Sequence, residues 1–218
     1  MLLEKIEKAN DIKQLKEAEL PVLAREIREF LISVISENGG HLASNLGVVE
    51  LTMAMHLYFQ LPEDKIIWDV GHQSYTHKIL TGRKEEFASL RKYGGMSGFP
   101  KPKESVCDSF GTGHSSTSIS AGLGYAEARE ITGGGYKVVS VIGDGALTGG
   151  MAYEALNNAS RMKTNFIIVL NDNNMSISEN VGGLSRHLGN LRTANAYQGL
   201  KSGVTNSLQK IPVYGERM

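Results

Sequence analysis

Two nearly uninterrupted apolar runs, Val138-Val139-Ser140-Val141-Ile142 and Phe166-Ile167-Ile168-Val169-Leu170, constrain the fold of this chain more than any other feature. A strand with one wet face alternates apolar and polar residues, whereas a run that is apolar throughout is buried on both faces, as parallel strands under helices are. The stretch between the runs, from Ala146 to about Met162, reads as helix, which makes the unit strand, helix, strand. A right-handed crossover then puts the C-terminal ends of both strands on one edge of the sheet. The fold class expected is α/β, three-layer, with a mostly parallel sheet and helices on both faces.

The rest of the chain fits around that unit. Leu23, Ile27, Phe30, Leu31, Val34 and Ile35 recur at helical spacing and Asn38-Gly39-Gly40 supplies a stop. A loop from His41 to Gly47, a helix from Val48 to Phe59 and a short buried strand at Ile66-Ile67-Trp68-Asp69-Val70 come next. Gly111-Thr112-Gly113-His114-Ser115-Ser116 leads into an Ala-rich helix from Ser118 to Glu130, placing a glycine loop at a helix N-terminus, where anions are favoured. After Ser178 the pattern weakens, so residues 1–178 are expected to form the domain and 179–218 a flexible loop or linker.

Composition excludes several functions. Lys plus Arg and Asp plus Glu are both 23, so no net field draws the chain to nucleic acid or an anionic membrane. Charge interrupts the first eight residues, and no apolar run reaches spanning length, which points to a cytoplasmic protein without a membrane segment. Cys107 is the single cysteine, so an internal disulfide or CxxC site is impossible, and an idle buried thiol is expected.

Gly143-Asp144-Gly145 ends one strand and Asn171-Asp172-Asn173 the next, and Asp144 and Asn173 lie 29 positions apart. Either tripeptide alone is an ordinary turn sequence. Together, at neighbouring strand ends, they suit Mg²⁺ on a diphosphate, because that ion takes hard oxygen ligands and few of them from protein. The Asp144 carboxylate, the Asn173 amide oxygen and the Met175 carbonyl would be the ligands, with the glycines beside Asp144 opening backbone N–H groups to phosphate.

The pair Gly143-Asp144-Gly145 and Asn171-Asp172-Asn173 resembles the signature of thiamine diphosphate enzymes. Further blocks, Gly40-His41-Leu42-Ala43-Ser44-Asn45-Leu46-Gly47, Trp68 to Lys78, Gly113 to Ser118 and Asn173 to Ser178, resemble the 1-deoxy-D-xylulose-5-phosphate synthases, from roughly Ala18 through Met218. The resemblance implies condensation of pyruvate with glyceraldehyde 3-phosphate with loss of CO₂, on thiamine diphosphate and Mg²⁺, in isoprene and thiamine biosynthesis, by a homodimer. It implies Mg²⁺ ligation by Asp144, Asn173 and Met175, diphosphate contacts at Gly145 and Ala146, and contacts with thiamine diphosphate from the loop of Gly113 to Ser115. His72 and His114 would touch the cofactor and His41 would face substrate as donor or proton carrier. Ser44 and Asn45 would line the same pocket.

The other histidines have plainer readings. His56 on an amphipathic helix and His187 in a loose segment default to structure or solvent, while His77 either joins the site or buttresses His72. Met53, Met55 and Met151 read as core filler. The family carries its cofactor-activating glutamate in a second domain that these residues lack, so little turnover is expected from them alone. Two other readings are an amino-terminal subunit of a split transketolase, against which Leu42-Ala43-Ser44-Asn45 stands where transketolases have Pro-Gly, and a non-catalytic Mg²⁺ and diphosphate module.

Overall fold

In the computed structural model, which describes residues 1–172 together with Gly183, Asn190 and Gly199, the two apolar runs become adjacent parallel strands. Strand β1 is Lys65–Trp68, β2 is Val138–Gly143 and β3 is Ile167–Asn171, in the spatial order β1-β2-β3. Lys65 pairs with Val138 and Trp68 with Val141, while Val139 pairs with Ile167 and Gly143 with Asn171. All three strands therefore finish on the same edge, as the crossover argument requires.

Among the described residues the α-helices are α1 Leu20–Asn38, α2 Leu42–Leu46, α3 Val49–Tyr58, α4 Tyr75–Leu80, α5 Ser118–Thr132 and α6 Gly150–Ala159. The strand pleat sorts alternate residues to opposite sides. Ile66, Trp68, Val139 and Val141 join Met55 and Phe59 in one cluster, whereas Ile67 and Val138 join Ala126 of α5 in another. Gly122 brings α5 close to β2, since a β-carbon there would strike the Ser140 hydroxyl and the Phe166 ring. A separate core under α1 is built from Leu23, Ile27, Leu31 and Ile35 against Val49, Met53, Tyr75 and Ile79. Each such buried aliphatic side chain contributes about 1.5–3 kcal/mol relative to exposure.

The structure departs from the sequence reading in four places. Residues 42–46 form a helical turn rather than loop, stabilised by Gly47 and Val48 N–H groups that reach back to Ala43 and Asn45. The helix expected from Ala146 is broken: Ala146–Thr148 is one tight turn, Gly149 is extended with Ser116 in the space a β-carbon would take, and α6 starts at Gly150. Strand β3 is not covered throughout; Ile167 and Leu170 are 37% and 38% exposed, and among the described residues it pairs on one side only. Met151, unlike buried Met53 and Met55, is 48% exposed. The chain divides into units Met1–Asn173 and Asn174–Met218, and the 178/179 boundary lies outside the described residues, as does His187.

Between α3, α4 and the segment beyond α4 runs a buried polar seam. His56 Nε2 lies 3.0 Å from His77 Nδ1, and His77 Nε2 lies 3.1 Å from Asp108 Oδ1. Arg83 grips the same carboxylate at 2.9 and 2.7 Å, and Lys78 donates to Glu104 at 2.7 Å. Because the ionised carboxylate only accepts, His77 carries its proton on Nε2, and His56 then donates from its own Nε2 to His77 Nδ1. Burial depresses the pKa of both histidines, so the folded chain keeps them neutral where the unfolded chain protonates them. Their contribution is therefore full above about pH 6.5 and is lost as pH falls below it, by at most about 1.4 kcal/mol per pH unit for each. The urea midpoint is expected to be lower at pH 5.5 than at pH 7.5; an equal or higher midpoint contradicts the neutral state of the two buried histidines.

Candidate functional site

The site grows from the turn that leaves β1. Asp69 is 1% exposed, its N–H donates to Val141 O at 2.7 Å, and its carbonyl accepts from Gly71 N–H at 2.5 Å and Gln73 Nε2 at 3.1 Å. Such a tight turn forces Val70 to φ 58°, a costly conformation for a β-branched residue. Gly71 comes next at φ 90°, where a β-carbon would meet the Thr112 hydroxyl and the Pro100 ring. His72 follows this strained turn and is half-buried.

Asp69 also reaches across to the glycine loop. Its Oδ2 accepts the Ser118 N–H at 2.9 Å, so the first amide of α5 is capped by the protein's own carboxylate rather than left for a ligand. That bond fixes the 113–118 loop against the His72 turn. The rings of His72 and His114 lie 6.3 Å apart and nearly parallel at 26°. His41, at the start of α2, approaches His72 at 5.5 Å edge to face. Phe99 completes the ring of aromatics, 6.0 Å from His41 and 5.9 Å from His114.

Three of the histidines singled out in the sequence thus converge, and His77 does not join them: it bonds to His56 and Asp108 and its ring lies 5.9 Å from Trp68. His56 is a core residue, 1% exposed. Phe99 was missed by sequence reasoning, although an aromatic residue between Gly98 and Pro100 in a polar stretch is a usable signal. Asn45, expected to line the pocket, is 0% exposed, whereas Ser44 is half-buried.

The electrostatics favour neutral imidazoles at His41 and His72. Burial, with help from His41 and His114, lowers the His72 pKa to about 4, and burial with the Arg91 charge lowers that of His41. Nδ1 of His41 and Nδ1 of His72 are buried with no hydrogen-bond partner among the described residues. Orphaned ring nitrogens of this kind are costly unless a bound group completes them.

The second half of the site is built at the end of β2. Asp144 is 8% exposed and its N–H donates to Asn171 O at 3.3 Å, so the Gly143-Asp144-Gly145 turn sits beside the tip of β3. Gly145 and Ala146 are half-buried in that turn. Ser116, held at φ 54°, packs its hydroxymethyl on Gly149, which joins the histidine-bearing loop to the Asp144 turn. Gly113 has open space where a β-carbon would be, and Ser115 is exposed beside it. Asn173 and Met175, the other expected metal ligands, lie outside the described residues. Among the described residues no three His, Cys, Asp or Glu side chains form a metal cage, and no helix is long and apolar enough to cross a membrane. Cys107 is buried, and burial raises its thiol pKa, so it is inert.

The comparisons with known proteins agree with one another. The family model described as 1-deoxy-D-xylulose-5-phosphate synthase matches residues 3–218. The chain is 62% identical over 215 residues to the 1-deoxy-D-xylulose-5-phosphate synthase of Lachnoclostridium phytofermentans, covering 99% of the chain and 34% of that protein. It is 58% identical over 217 residues to the synthase of the same name from Carboxydothermus hydrogenoformans, covering 100% of the chain and 35% of the relative. The chain therefore spans about a third of the length of the curated relatives it matches.

Proposed function

Since the chain belongs to the 1-deoxy-D-xylulose-5-phosphate synthase family, we propose that it forms the thiamine diphosphate and Mg²⁺ holding part of an enzyme that condenses pyruvate with glyceraldehyde 3-phosphate, releasing CO₂. The observation that carries this reading is the convergence of His41, His72 and His114 around Phe99, joined through Ser116 and Gly149 to the Asp144 turn. The residues fit the group: buried ring nitrogens without partners offer polar contacts, and Gly113 leaves backbone open to a phosphate. When bound, thiamine diphosphate supplies the carbanion chemistry that amino-acid side chains lack.

The chain's own residues bind and orient. Asp144, with Asn173 and the Met175 carbonyl, holds Mg²⁺, while Gly145, Ala146, Gly113 and Ser115 meet the diphosphate. His72 and His114 contact the cofactor. His41, neutral at pH 7 because burial opposes its charge, donates a hydrogen bond or carries a proton at the substrate. A three-layer α/β/α arrangement, a homodimer and a cytoplasmic location belong to the same proposal; helix contacts on both faces of the sheet support the first.

Titrating thiamine diphosphate into the 218-residue chain with and without Mg²⁺ tests the assignment. Binding is expected only with the metal, with imidazole resonances of His72 and His114 shifting on saturation. Product formation by these residues alone is expected to be negligible. Metal-independent binding, or shifts confined to His56 and His77, would overturn the site assignment, and a normal rate would overturn the expectation of inactivity.

A further inference from the structure

A carboxamide buried without partners is costly, and Asn45 is 0% exposed, so the contacts of its amide are informative. Its Nδ2 donates one proton to His41 O at 2.6 Å and the other to His72 O at 2.8 Å, and its Oδ1 accepts the Tyr75 N–H at 2.8 Å. The amide orientation is fixed by the partners, since two carbonyls can only accept and a backbone N–H can only donate. One side chain therefore ties the start of α2 to the strained turn after β1 and to the first residue of α4.

We propose that Asn45 is a positioning residue that sets the separation of the His41 and His72 rings, an inference that deepens the cofactor reading and rests on it for its functional meaning. No other natural side chain of this size gives two donors and one acceptor in one plane. Aspartate offers no donor to the two carbonyls, leucine offers nothing, and glutamine is one methylene too long for a packed site. Freed from the clamp, the His72 turn relaxes away from His41, and the buried Nδ1 atoms gain access to water.

The test is a pH titration of the ¹⁵N-labelled 218-residue chain, following the imidazole signals of wild type and Asn45→Ala without ligand. In the variant, the His72 midpoint is expected to rise from about 4 toward the ordinary histidine range and the His41–His72 ring contact to weaken, while His56 and His77 stay where they are. Asn45→Ser, whose hydroxyl serves one carbonyl at most, is expected to fall between the two, and it carries the test if the alanine variant does not fold. Thiamine diphosphate with Mg²⁺ is expected to bind Asn45→Ala about tenfold or more weakly, the scale of one or two lost positioning bonds. Unchanged His41 and His72 signals in a folded variant overturn the proposal, and so does an equal disturbance of all four histidines, which marks general loosening. If the wild-type chain binds no thiamine diphosphate yet the selective histidine shift is observed, the cofactor reading fails and the positioning role stands.

Discussion

Asp144→Ala is expected to weaken Mg²⁺-dependent binding of thiamine diphosphate by more than about a hundredfold, since loss of even an outer partner of a metal site costs about 10- to 100-fold. The Asp144 N–H bond to Asn171 O and the seat of Gly149 on Ser116 remain available to the variant, and a melting curve establishes that it is folded before binding is read. The variant loses a hard anionic oxygen at the sheet edge, the donor type Mg²⁺ selects. Asp144→Asn keeps an oxygen and the size but not the charge, and is expected to fall between alanine and wild type. Calorimetric titration with and without the metal decides it; wild-type affinity in the alanine variant would remove Asp144 from the site.

Asp108→Ala is expected to cost about 3–5 kcal/mol, the usual loss when one member of a buried ion pair is removed and its partner stays behind. The seam balances two cations, Lys78 and Arg83, against two carboxylates, Glu104 and Asp108. Burial opposes the Asp108 charge, but hydrogen bonds from His77 and Arg83 overcome it and hold the carboxyl below the ordinary carboxylate range. Truncation leaves the Arg83 guanidinium, 4% exposed, without its fork partner and His77 without an acceptor. For a chain of this size the loss lowers the melting temperature by roughly 10 °C. Arg28→Ala provides the contrast, because Arg28 and Glu50 make an even shorter bidentate pair nearer the surface, where such pairs contribute about 0–1 kcal/mol. Comparable unfolding midpoints for the two variants would show that the seam is not a structural keystone.

The parallel sheet was legible in the sequence because β2 and the run leading into β3 are too apolar for any half-wet strand, and α1 because its apolar spacing is long and regular. The grouping of His41, His72 and His114 was legible through the family resemblance of the motif blocks that carry them, and among these only His72 follows a strand end. Helix α2 was not: five residues are too few to show a period. Neither was the seam, because Arg83 and Asp108 are residue types that usually face water and histidine is found on either side, and only the packing of α3 on α4 and the segment after it reveals that they satisfy one another. Asn45 escaped for the same reason. A polar residue among loop glycines reads as pocket lining, and three partners up to 30 positions away leave no local trace.

Gly122 lets the α5 main chain come down onto the Ser140 hydroxyl and the Phe166 ring, so the height of that helix is decided where those two side chains meet a residue that has none. A methyl group at this position would act as a shim under a beam. The bowl between the α5 start and the strand tips would deepen, and His114 would be carried away from His72 by a change made more than a full helical turn from either.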